Sequence, residues 1–220
     1  MLKTSTIASR TIEAKILFLA LAALLTTELG ATLIVREATC SPMLIQGVAR
    51  AVQAVLLLLI FSLWGKGLAS IGLAQDQIVG GLKKGTIWSA GFGMCVILGF
   101  AALHVAGIDP FKLVKTPLPP THKEILLTFT VGGLVAPIAE EVFFRGILYG
   151  FLRRWGVFVA LFGSTVIFVL AHAVTSRIPV TQTVGGILFA VAYELEGSLI
   201  VPITIHVLGN MAIFALSLVP

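Results

Sequence analysis

The sequence predicts an all-α polytopic membrane bundle of about seven transmembrane helices with an additional interfacial helix. Three observations predict it. The chain is 58% hydrophobic, it is only 11% charged, and its mean hydropathy is +1.06; soluble domains carry about 25% charged residues. Several apolar runs also reach the roughly 20 residues needed to cross about 30 Å of hydrocarbon. Two of them are "ILFLALAALLTTELGATLIV" at 16–35 and "TIWSAGFGMCVILGFAALHVAG" at 86–107.

The helices are expected at 14–35, 43–64, 86–107, 125–151, 157–175, 180–195 and 198–218. The first apolar run is too long for a secretory h-region, and no small-residue cleavage site follows it cleanly. Between the second and third helices lies "GKGLASIGLAQDQIVGGLKKG" (65–85), framed by Lys66 and by Lys83 and Lys84. It is too polar to span, so an interfacial helix in the headgroup layer is expected there. "DPFKLVKTPLPPTHKE" (109–124) reads as an extramembrane loop, rich in Pro and Lys. The sixth helix is short and ends in Glu194 and Glu196. No repeat or low-complexity tract interrupts the chain, so 1–220 reads as a single integral membrane domain.

The formal net charge is +5. The positive residues fall between apolar runs, where they set topology rather than bind nucleic acid, and no phosphate-binding glycine loop is present. With the N-terminus in the cytoplasm, the inside would hold Lys3, Arg10, Lys15, Lys66, Lys83, Lys84, Arg153 and Arg154. The outside would hold Arg36, Lys112, Lys115, Lys123 and Arg177. That bias favours a cytoplasmic N-terminus. Cys40 and Cys95 are far apart and lack CxxC spacing, which rules out a cysteine-built structural zinc site.

Against this background the charges inside apolar helices are functional candidates, because one at mid-bilayer costs about 2.5–3.5 kcal/mol on insertion scales. "APIAEEVFFRGILYG" (136–150) places Glu140, Glu141 and Arg145 in one window. Glu141 and Arg145 are i, i+4 and can pair along one helix face. Glu140, rotated by about 100°, is left free of that pair. Alternatively all three sit at a helix end and reach for water, but apolar residues flank the window on both sides.

His172, in "FVLAH", is i+4 from Phe168; a lone histidine near a helix end is more often a satisfied polar residue than a catalyst. His206 and Asn210, in "HVLGN", are a further i, i+4 pair in an apolar helix. Lipid offers these groups no partners, so one shared polar pocket is the economical arrangement. A carboxylate with two imidazoles can activate water directly or through a metal. Zinc held by Glu140, His172 and His206 is chemically reasonable, but HExxH spacing is missing and the residues leave both routes open. Glu28 and Arg50 fall inside the first two helices; they can pair across the hairpin or line a substrate entrance.

These motifs resemble those of the CAAX-protease and bacteriocin-processing (CPBP) family of intramembrane proteases, which includes the type II CAAX prenyl endopeptidases. "EEVFFR" (140–145) matches EExxxR, "FVLAH" (168–172) matches FxxxH and "HVLGN" (206–210) matches HxxxN, within a family-like catalytic core at 86–218. The two helices and the interfacial segment of 1–85 carry no usable family signature. The resemblance implies an intramembrane endopeptidase acting on a membrane-associated protein or peptide. Glu140 would activate water with help from His172, His206 and Asn210 would stabilise the oxyanion, and Glu141 and Arg145 would orient the site. The family has been described both as metal-dependent and as a glutamic type.

The small size and the absence of a eukaryotic targeting signal point to a prokaryotic cytoplasmic membrane and away from prenylated substrates. Two other functions compete. A small proton-coupled transporter would use the same Glu and His as a relay, although no inverted repeat is visible. A non-catalytic immunity or partner protein would leave costly intramembrane charges unused.

Overall fold

A computed structural model describes residues 12–37, 40–172 and 180–219. Lys3, Arg10 and Arg177, and the expected last turn of the fifth helix at 173–175, lie outside the described residues. Among the described residues the chain is helical without strands. Helix α1 (Ala14–Glu37) and α2 (Pro42–Trp64) form an antiparallel pair. Pro42 opens α2, where its fixed φ and missing N–H suit a first turn, and Gly65 closes it. Two short 3-10 turns, Leu68–Ile71 and Gln75–Gln77, lead into α3 (Ile78–Val105).

The fourth expected helix is a composite rod. It runs as α4 (His122–Thr130), a π-helical segment (Val131–Val135), α5 (Ala136–Glu141), a second π-helical segment (Val142–Tyr149) and the short α6 (Gly150–Leu152). Thr121 starts it with reciprocal bonds: its Oγ1 accepts from the Glu124 N–H at 3.3 Å and donates to the Glu124 carboxylate at 2.8 Å. Then follow α7 (Val157–His172), α8 (Val180–Glu196) and α9 (Ile200–Ser217).

The bundle architecture is therefore as the composition predicts. Among the described residues, five segments are long and apolar enough to cross a bilayer: Ala14–Glu37, Pro42–Trp64, Leu68–Val105, His122–Trp155 and Ile200–Ser217. Helices α7 and α8, of 16 and 17 residues, are shorter and pack against each other. The outer faces are oily: Phe18 is 69% exposed, Val105 88% and Phe158 78%. Such a surface suits lipid and not water.

The expected interfacial helix at 65–85 is not one helix. Its first part is the pair of 3-10 turns, and α3 begins eight residues earlier than its apolar run suggests. Packing accounts for this. A Cβ on Gly81 or Gly85 would lie 2.6 Å from Ile200 or 2.5 Å from Thr204, so these glycines let α3 lie directly on α9. Lys84, which made the segment read as polar, is neutralised by Glu196 at 2.7 Å, and the indole N–H of Trp88 donates to the same carboxylate at 3.0 Å. Gly72, at φ +79°, turns the chain so that its carbonyl accepts from the Leu199 N–H at 3.0 Å.

Candidate active site

The centre of the bundle is the composite rod. Every residue from Val142 to Gly150 is buried. The first π segment has a local cause. Pro137 has no N–H, so it cannot donate to the carbonyl of Gly133 in an α ladder or to that of Gly132 in a π ladder. The backbone widens instead: the Ala136 N–H bonds to the Val131 carbonyl five residues back. The Gly132 carbonyl is taken by another helix, through the side-chain amide of Asn210 at 2.8 Å. The glycine pair makes room there, since a Cβ on Gly133 would meet Met211 at 2.8 Å and one on Gly132 would meet Phe214 at 3.1 Å.

Glu140 and Glu141 thus sit on a short α turn between two widened stretches. Glu141 and Arg145 form the i, i+4 pair expected from their spacing, Nη1 to Oε1 at 2.9 Å, and both side chains are fully buried. A buried pair needs further partners to be tolerated. Arg145 Nη2 donates to the Gly186 carbonyl at 3.1 Å. The rings of Phe168 and Phe189 lie 4.7 and 5.1 Å from the guanidinium carbon, an enclosing cation–π arrangement.

The two histidines come from α7 and α9. His172 Nδ1 is 2.8 Å from the Phe168 carbonyl. A carbonyl can only accept, so the proton sits on Nδ1 and Nε2 is the free position of the neutral ring. His206 Nδ1 is 2.7 Å from Oε1 of Glu141, which fixes that ring in the same way. The two Nε2 atoms then face one oxygen: Oε2 of Glu140 lies 3.5 Å from His172 and 3.8 Å from His206. Phe189 stacks on the His206 ring at 4.5 Å and 22°, and Phe168 lies against His172 at 4.4 Å.

Five of the six expected residues therefore meet directly: Glu140, Glu141, Arg145, His172 and His206. Asn210 is held one turn along α9, on the Gly132 carbonyl. Among the described residues, no group of three His, Cys, Asp or Glu side chains is arranged to hold a metal ion. The sequence reading did not anticipate the Glu141–His206 contact, the ring of Phe189 or the Gly186 carbonyl. Phe189 lies in an unbroken apolar run and carries no signal of its own. The Pro137 effect was readable in principle, five residues after Gly132.

Comparison with known proteins agrees with the motifs. Residues 122–212 match the family described as type II CAAX prenyl endopeptidase Rce1-like. The resemblance read from the three motifs holds over that segment. It spans α4 through most of α9 and so includes all six residues expected at the site. The chain also has curated relatives. One is "Putative membrane peptidase YdiL" of Bacillus subtilis (strain 168), 34% identical over 140 residues, which are 61% of this chain and 57% of the relative. Another is an uncharacterized 24.3 kDa protein of Escherichia coli, 26% identical over 142 residues, which are 61% of this chain and 65% of the relative. The match thus spans less than two thirds of the length of either. No solved structure matches the chain.

Proposed function

We propose that the chain is an intramembrane endopeptidase in which Glu140 activates the attacking water. The observation that supports this most is the convergence of two tautomer-fixed histidines on one carboxylate oxygen of Glu140. A carboxylate among bare imidazole nitrogens in a low-dielectric pocket is suited to taking a proton from water.

In this reading a water held by Glu140 and His172 loses a proton to Glu140 as its oxygen bonds to the scissile carbonyl carbon. The carbonyl π pair moves to oxygen, and the oxyanion is met by donors from α9. Oε1 of Glu141, at 2.7 Å from Nδ1, holds the His206 ring toward that oxygen. Asn210 has a second amide N–H beyond the one bound to Gly132. Collapse of the adduct breaks the C–N bond, and the proton held by Glu140 passes to the leaving amine. Arg145 holds Glu141 in place. The zinc route through Glu140, His172 and His206 is not favoured by their arrangement, which is not that of a metal site among the described residues.

The proposal extends, in keeping with the relatives, to a membrane-associated protein or peptide as substrate; from the size of the chain and its lysine and arginine distribution it extends to a prokaryotic cytoplasmic membrane, with the N-terminus inside and the chain forming one membrane domain. The experiment is cleavage by purified protein in liposomes. Wild type is expected to release peptides that the Glu140→Ala variant does not; pH-driven flux without cleavage would favour a transporter instead.

A further inference from the structure

The first two helices carry a polar cluster that the proposed chemistry does not use. Arg50 of α2 pairs with Glu28 of α1, Nη1 to Oε1 at 2.5 Å, and the same Nη1 donates to Gln53 Oε1 at 2.8 Å. Gln53, fully buried, turns its amide N–H groups back to Glu28 Oε1 and Thr27 Oγ1, each at 2.9 Å. Glu28 and Gln53 thus hold one edge of the guanidinium. Among the described residues, Nε and Nη2 of Arg50 have no hydrogen-bond partner, and the side chain is 29% exposed.

This cluster lies at the level of the site. Arg154, at the end of the composite rod, donates to the Ile12 carbonyl just before α1, and Ile12 and Ile16 share a cleft with Phe61 and Trp64 at the end of α2. These contacts mark one end of the bundle. At 1.5 Å per residue, Glu28, Arg50, Glu140 and His172 each stand roughly 20 Å from that end. Helix α2 packs on α5, which carries Glu140, and on the π segment before it.

We infer that Arg50 is a substrate-positioning residue whose free N–H groups donate to a main-chain carbonyl of the bound peptide, beside the scissile bond. The inference rests on the endopeptidase reading above. Its physical basis is the state in which such a peptide must arrive. A bond in a helix must be unwound before water can attack it, and in hydrocarbon each freed carbonyl then lacks a partner. A guanidinium already neutralised by Glu28 supplies donors without a net charge, which suits a neutral carbonyl better than a carboxylate.

The test uses the full chain in phosphatidylcholine–phosphatidylglycerol liposomes loaded with a detergent extract of bacterial membrane proteins. Peptides released by wild type and not by Glu140→Ala identify the cleaved sequence, and a synthetic copy serves for kinetics. Arg50→Gln and the charge-balanced Glu28→Gln/Arg50→Gln variant are both expected to raise KM about tenfold, as for one lost hydrogen bond to a charged group. kcat should stay within about twofold. Replacing a flanking carbonyl of the synthetic peptide by a methylene should raise KM for wild type and not for Arg50→Gln. An unchanged KM in Arg50→Gln, or a wild-type KM in the double variant, assigns the pair to hairpin stability alone and overturns the inference. No release by wild type beyond Glu140→Ala overturns the endopeptidase reading and this role with it.

Discussion

Nδ1 of His206 lies 2.7 Å from Oε1 of Glu141, the same oxygen that Arg145 holds at 2.9 Å. One buried carboxylate oxygen therefore ties a histidine of α9 to an arginine of the composite rod. Removing its charge leaves Arg145 buried without a counter-ion. Glu141→Gln is expected to cost about 3–5 kcal/mol of stability, the usual penalty for breaking a buried pair from one side. Thermal unfolding in detergent reads the loss, and Glu141→Gln/Arg145→Met, which leaves no unpaired charge, should recover a large part of it.

Phe189 covers both ends of that arrangement, stacked on His206 and 5.1 Å from the Arg145 guanidinium carbon. Phe189→Ala should destabilise by about 3–5 kcal/mol, as large-to-small changes at buried aromatics do. Phe189→Tyr, which keeps the ring, should retain most of the activity. Unfolding and cleavage measured on the same preparations check both.

Asn210 and Pro137 are predicted to be coupled across two helices. Asn210→Ala orphans the Gly132 carbonyl and should cost about 1–3 kcal/mol. Pro137→Ala restores a backbone N–H that can serve that carbonyl or its neighbour. In that background Asn210→Ala should cost measurably less, and a double-mutant cycle in thermal unfolding reads the coupling.

This pair also shows where the sequence was legible and where it was not. Composition and run length gave the bundle, because lipid imposes a simple length and polarity rule. The i, i+4 spacing gave the Glu141–Arg145 pair, and intramembrane charge singled out Glu140, His172 and His206. The first π segment depends on which backbone donor is missing five residues away, and no hydropathy pattern carries that. Lys84 misled because a lysine in isolation reads as interfacial, whereas its partner Glu196 lies on a helix far along the chain. Phe189 was hidden for the opposite reason: one apolar residue among many gains its role only from the ring and the guanidinium it touches.

Chelation separates the two routes to activated water. If Glu140 acts directly, cleavage should survive dialysis against a strong chelator, with far less than one zinc per chain by elemental analysis. Loss of activity with chelation and its return on adding zinc would assign the water to a metal held by Glu140, His172 and His206.

The most direct measurement is the cleavage rate of wild type, Glu140→Ala and His172→Ala reconstituted side by side, with unfolding curves for each. General-base removal is expected to lower the rate by at least about a hundredfold while the variants stay folded. Undiminished cleavage by folded Glu140→Ala protein would contradict the assignment of the water-activating step to Glu140.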